Sequence, residues 1–313
     1  MLTLSMLGTL ALTACGSTPA PTTSSGGTAA CPASGTASSR GSGALKIGSK
    51  AFAEEELLAE MAKLVLEKHG YTVDFSFKAK DPALGQALEQ GTIDLYWQYT
   101  GTELQGPLAV DKPPTDLDAA FTLARTKDEA RGICWTAKAN FDDTNGLAIK
   151  ASDKSRYGAT LSAFSSYLKS YPNTVVCINS EFRTRADGIP GLQTAYGNFD
   201  VPGLKDIGAS TAEALIASGQ CAAGEVFTTD SAIAANNLYV LQDDKKVFPP
   251  DNVGLLVRSS VLKAHPEIGA IMQPVADKLT TDVMTGLNKK VEIDGLKVED
   301  VARDFLTTNG LLN

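Results

Sequence analysis

Ile93, Leu95 and Trp97 alternate along the chain with Asp94, Tyr96 and Gln98. A period of two with unlike faces predicts a β-strand. The pattern stops at Tyr99-Thr100-Gly101-Thr102, where glycine lets the backbone turn sharply and hydroxyls gather around an aromatic ring. Upstream the period lengthens. Leu57, Leu58, Met61, Leu64 and Val65 recur at helical spacing over 54–69, and Gly70 supplies a C-terminal stop. Short strands over 45–48 and 71–77 and a helix over 82–90 complete a β-α-β-α-β series. A second series begins near residue 145, with helices over 161–171, 189–196, 211–218 and 230–237 and strands over 173–178 and 224–228. Residues 240–248 lead into Pro249-Pro250, and helices return over 266–279 and 298–307. Such alternation predicts an α/β fold with a mostly parallel, doubly wound sheet flanked by helices. On an open sheet of that kind, small ligands bind at strand ends such as Tyr99–Thr102. About 265 ordered residues is generous for one core, so two lobes are expected.

The N-terminal 43 residues have a different character. Residues 1–14 are apolar but too short to span a bilayer, and they end at Leu12-Thr13-Ala14-Cys15. That tetrapeptide resembles a bacterial lipobox, whose cysteine becomes a lipid-modified N-terminus; no Lys or Arg precedes the apolar run. From 16 to 43 the chain is almost wholly Gly, Ser, Thr, Pro and Ala, with Arg40 its sole charge. So little apolar area leaves ordering entropy uncompensated and predicts a flexible tether over 15–43. The expectation is a signal peptide over 1–14, a lipid on Cys15, and a folded body held outside the cytoplasmic membrane.

A net charge of −8 argues against nucleic acid or an anionic membrane surface as a partner. With Cys15 lipidated, Cys31, Cys134, Cys177 and Cys221 form an even set in an oxidising compartment. Four cysteines allow three connectivities; Cys177 with Cys221 is the preferred pair because both fall near presumed strands of one domain. No CxxC spacing or GxxxxGK[ST] loop occurs, so neither a metal nor any cofactor is expected. The two histidines, His69 and His265, sit at helix ends without a nucleophile beside them, and catalysis is not expected.

Gly48-Ser49-Lys50-Ala51-Phe52-Ala53-Glu54 followed by Ile93-Asp94-Leu95-Tyr96-Trp97-Gln98-Tyr99-Thr100-Gly101-Thr102 resembles the solute-binding proteins of ABC importers for glycine betaine, choline and related osmoprotectants. Wording, spacing and order all match that family. The resemblance implies two α/β lobes of the type II periplasmic-binding-protein kind, crossed twice by the chain. The first would comprise 44–142 plus 250–313, the second 143–249. A quaternary-ammonium solute would lie between lobes that close on it by hinge motion and deliver it to permease subunits. Aromatic faces attract such a cation by about 0.5–2 kcal/mol per ring, and fixed cations and hydroxyls meet its carboxylate.

Carried over residue by residue, Tyr99 and Thr102 supply a ring and a hydroxyl, and Lys50 matches the motif lysine. Arg185, within Glu181-Phe182-Arg183-Thr184-Arg185-Ala186-Asp187-Gly188, would grip a carboxylate, unless it merely pairs with Asp187. Phe227 stands where the family has tyrosine, and Asp143 and Thr144 match its domain crossing. Two departures follow. Asn145 and Asp251 occupy positions where the family commonly carries tyrosine, removing two of four expected rings. That loss would cost about 1–4 kcal/mol. Asp251 in Pro249-Pro250-Asp251-Asn252 also reads as turn chemistry. Glu55, where glutamine is common, adds negative charge. Tyr96, Trp97 and Tyr196 are substitute rings or core residues. The alternative is a binding protein or sensor for another cationic, amino-acid-like solute.

Overall fold

The computed structural model describes residues 31–36, 41–79, 83–180, 182–207 and 211–312. The signal segment and Cys15 lie outside them. In chain order the first elements are β1 (Ala44–Ser49), α1 (Ala53–Lys68), β2 (Thr72–Lys78), α2 (Ala83–Gln90), β3 (Leu95–Tyr99), α3 (Thr100–Gln105), α4 (Leu117–Glu129) and β4 (Ile133–Asp142). The middle of the chain gives β5 (Asn145–Lys150), α5 (Lys154–Tyr157), α6 (Leu161–Ser170), β6 (Val176–Ile178), α7 (Ile189–Tyr196), β7 (Leu204–Asp206), α8 (Ala212–Ala217), β8 (Ala223–Phe227), α9 (Ser231–Ala235) and β9 (Leu238–Val240). Last come β10 (Asn252–Arg258), α10 (Ser259–Ala264), α11 (Ile268–Ala276), α12 (Thr281–Glu292) and α13 (Val298–Thr308).

The strands form two five-stranded sheets, ordered β2-β1-β3-β10-β4 and β7-β6-β8-β5-β9. The orders are equivalent strand for strand, so each lobe repeats one plan. Neither sheet is mostly parallel, which corrects the sequence expectation. In each, two of four pairings are parallel and two antiparallel. The reason is the crossing. β3 and β8 end at the gap between lobes, whereas β10 and β5 begin there, so each crossing strand enters its new sheet running the opposite way.

Helices cover both faces of each sheet. Leu57, Leu58 and Met61 of α1 pack with α11, α12 and α13 against one face of the first sheet, and α2 and α4 pack against the other. Burying each such side chain contributes about 1.5–3 kcal/mol. Because both faces are covered, all five residues of β3 are buried, so the alternation at 93–98 does not mark a solvent face. Tyr96, Trp97 and Tyr196 are all core residues, and Trp97 Nε1 donates to Leu58 O at 3.0 Å. Side chains of Asp116, Thr160, Thr211 and Thr280 cap α4, α6, α8 and α12, each worth about 1 kcal/mol.

The described end of the expected tether is held to the body. Cys31 is bonded to Cys134 of β4, its backbone N donates to Glu129 Oε1 at 3.0 Å, and Gly35 N donates to Pro266 O at 2.7 Å. Gly41 N donates to His69 O at 2.9 Å. A disulfide and backbone bonds thus fix a stretch whose composition alone predicts none. In the second lobe, Cys177 and Cys221 are bonded to each other within the apolar layer beneath α8.

Candidate functional site

The chain passes between lobes twice, at 142–145 and at 249–251. Three hydrogen bonds tie the passages together. Asp251 N donates to Asp142 Oδ1 at 2.5 Å, Asp143 N to Asp251 O at 3.3 Å, and Thr144 Oγ1 to Pro249 O at 2.7 Å. A cleft of about 190 Å³ opens against these crossings. Thr102 borders it from the first lobe, Arg185 and Phe227 from the second, and Asp143, Thr144, Asn145 and Asp251 from the crossings. Seven of the nine ligand-contact candidates therefore share one hollow. Gln105, Asp187 and Pro249 join them.

Lys50 and Tyr99 do not line it. Tyr99, at the end of β3, is only 3% exposed, and its hydroxyl donates to Glu54 Oε1 at 2.6 Å. Lys50 Nζ lies 4.5 Å from the centre of the same ring and donates to Gln98 Oε1 at 2.7 Å, with Glu55 Oε1 3.9 Å away. The protein's own cation thus covers a ring expected to receive a ligand. Tyr99's phenol is pushed well above its ordinary range by burial and by the Glu54, Glu55 and Asp143 carboxylates.

Asp251 is neither an exposed turn nor simply a replacement for a ring. Its Oδ1 accepts from Gly101 N at 2.5 Å and Thr102 N at 3.2 Å, and its Oδ2 accepts from Thr102 Oγ1 at 3.2 Å. A crossing residue thereby binds the first amides of α3, where N–H groups lack helical partners. Gly101 matters here because a Cβ would stand 3.0 Å from Asp251 Oδ1 and 3.2 Å from Pro250 O. Its task is close approach rather than a sharp turn, for it lies inside α3.

In the second lobe, Phe227 ends β8 and is 46% exposed, with its backbone N donating to Asp230 Oδ2 at 2.7 Å. Arg185 presents one guanidinium edge to Asp187, Nε to Oδ1 at 2.9 Å and Nη2 to Oδ2 at 2.6 Å. It therefore borders the cleft and pairs with Asp187 at once. Asn145, at the start of β5, is almost fully buried, and its Oδ1 accepts no hydrogen bond among the described residues.

Carboxylates set the electrostatics. Burial first, then the Asp143 charge, raises Glu54 to about 7. Burial likewise lifts Asp251 to about 7 and Asp142 to about 6, and raises Asp143; Lys50 opposes the shift at Asp143 and Asp251. Burial therefore favours the protonated forms of these acids, and a positive charge placed beside them would favour the ionised forms instead.

Sequence reasoning missed Glu54 and Asn288. Asn288 of α12 donates to both Glu54 Oε2 at 2.7 Å and Thr229 O at 3.1 Å, linking the lobes where α12 packs on α9. Thr229 Oγ1 donates in turn to Asp143 Oδ1 at 2.6 Å. Glu54 was visible in the motif that carries the resemblance; Asn288 carries no local signal. No helix among the described residues is long and apolar enough to cross a membrane, and no group of His, Cys, Asp or Glu there could hold a metal ion.

Similarity to known proteins agrees with this geometry. Residues 43–308 match the family model for the substrate binding domain of ABC-type glycine betaine transport systems. The chain is 30% identical over 279 residues to a glycine-betaine-binding protein of Pseudomonas aeruginosa, covering 86% of this chain and 89% of that one. It is also 30% identical to an ergothioneine transport permease/binding protein of Helicobacter pylori, over 85% of this chain but 48% of that larger protein. The solved structure of apo YehZ from Escherichia coli superposes with a TM-score of 0.75 at 26% identity, covering 85% and 99% of the two chains. With two lobes of matching topology and a cleft at their crossings, the chain belongs to the family of substrate-binding domains of ABC-type glycine betaine transport systems.

Proposed function

We propose that this protein captures glycine betaine, choline or a related methylated ammonium solute in the crossing cleft and hands it to the permease subunits of an ABC importer. The observation that carries the reading is the convergence of Thr102, Arg185, Phe227, Asp143 and Asp251, from both lobes and the crossings, on one acidic hollow. Phe227 offers a ring face to the ammonium, Asp143 and Asp251 supply negative charge, and Arg185 stands near enough to meet a carboxylate. Lobe 1 comprises 44–142 and 250–313, lobe 2 comprises 143–249, and the two bend about the paired crossings. No bond is made or broken in this task; capture and release suffice. The protein works outside the cytoplasmic membrane, tethered by a lipid on Cys15.

A thermal-shift and calorimetry panel of glycine betaine, choline, carnitine, proline betaine and ergothioneine tests the reading. A solute bound by the folded form alone raises the unfolding midpoint with concentration. At least one is expected to do so below millimolar concentration; absence of any shift at millimolar dose would contradict the assignment.

A further inference from the structure

We propose that the cleft prefers ammonium solutes that keep at least one N–H, such as N,N-dimethylglycine, over their fully methylated counterparts. The proposal rests on the binding function above and narrows its solute class.

Three observations converge. First, Phe227 is the one aromatic side chain that borders the cleft among the described residues. Second, the ring expected to face it is already engaged: Lys50 Nζ sits 4.5 Å from the Tyr99 centroid, and the phenol is bonded to Glu54. A quaternary ammonium, which depends on ring faces, finds a single one. Third, the remaining polar wall accepts hydrogen bonds. Asp143 receives Thr229 N and Oγ1 on Oδ1, and no hydrogen bond reaches its Oδ2 among the described residues. Asp251 receives three donors, two on Oδ1 and one on Oδ2. A carboxylate has about four acceptor positions, so one remains at Asp251 and two at Asp143. An N–H cation reaches such an oxygen at about 2.8 Å, whereas a methyl shell holds the nitrogen more than an ångström further away.

The test is calorimetry on the wild-type protein at one neutral pH with two matched pairs: glycine betaine against N,N-dimethylglycine, and choline against N,N-dimethylethanolamine. Each pair differs by one methyl replaced with a proton. The expected result is about tenfold tighter binding of the N–H member, the ratio of one charge-assisted hydrogen bond gained. Equal or tighter binding of the quaternary member, in either pair, would overturn the proposal while leaving the binding function intact. Failure of all four solutes and of the wider panel would overturn both. Asp143→Asn is expected to shrink the preference to about twofold or less by removing the open carboxylate. Asn145→Tyr, which adds a ring at the crossing, is expected to shift the preference towards the quaternary member; an unchanged ratio in a folded Asp143→Asn protein would contradict the role given to Asp143.

Discussion

Tyr99 and Phe227 occupy the same place in their two lobes. Each ends the third strand of an equivalently ordered sheet, and each is followed by a threonine and a short helix. Tyr99 is 3% exposed and Phe227 46%. The difference follows from one oxygen atom and its surroundings. In the first lobe Glu54 accepts the phenol proton and Lys50 covers the ring, so the side chain becomes part of the wall. Phenylalanine offers nothing to anchor, and Phe227 stays in the cleft. The aspartates at the two strand ends differ too: Asp230, from the second lobe's own loop, accepts from the Phe227 amide, whereas Asp251 reaches the first amides of α3 from a crossing. The strand end of the first lobe is thus tied down by long-range polar bonds, and that of the second leaves its ring at the cleft.

Four experiments break or sharpen this contrast. The largest effect is expected from Cys177→Ser with Cys221→Ser, since the second lobe has short strands and one internal staple. Urea unfolding should show a loss of about 2–5 kcal/mol. Next, Tyr99→Phe deletes the bond to Glu54. It should lower stability by about 1–3 kcal/mol, because a buried acceptor loses its donor. Solute affinity should change by no more than about twofold. A large affinity loss with unchanged stability would place Tyr99 in the ligand shell after all. Third, Phe227→Ala should weaken ammonium binding by about 2- to 30-fold in calorimetry while leaving the unfolding midpoint nearly unchanged.

The smallest effect is that of pH on the solute-free protein. Glu54 and Asp251 titrate near 7, Asp142 near 6 and Asp230 near 8, all lifted first by burial. A folded carboxyl with a raised pKa holds its proton where the unfolded chain has lost it. Stability therefore falls as pH rises from about 4 towards 8. Thermal midpoints should be higher near pH 5 than near pH 8 in the absence of solute. A midpoint that rises over that range would contradict the buried, proton-holding state of these acids.

Much of the architecture was legible locally. Helical spacing placed α1 and α7 within a residue of where they lie, and the β-α alternation over 44–99 was correct. β4 and β10 received no assignment. β10 is a continuous apolar run buried on nearly every residue, and its antiparallel partners lie far away along the chain. Period-two logic is silent for such a strand. The site divided in the same way. Thr102, Asp143, Thr144, Asn145, Arg185, Phe227 and Asp251 could be named because each falls within a short motif: just past a strand end for Thr102, at a strand end for Phe227, in the turns before α7 for Arg185, and at a crossing for the rest. The inward role of Tyr99 depends on Glu54 and Asn288, and the capping role of Asp251 on a partner 150 residues away. No window of sequence contains both ends of those bonds.

A crystal structure with N,N-dimethylglycine or glycine betaine bound tests the central claim most directly. The account predicts the ligand nitrogen within about 6 Å of the Phe227 ring centre, beside the Asp143 carboxylate, with Lys50 still seated over Tyr99. A nitrogen stacked on the Tyr99 face with Lys50 displaced, or a ligand outside the crossing cleft, would contradict it.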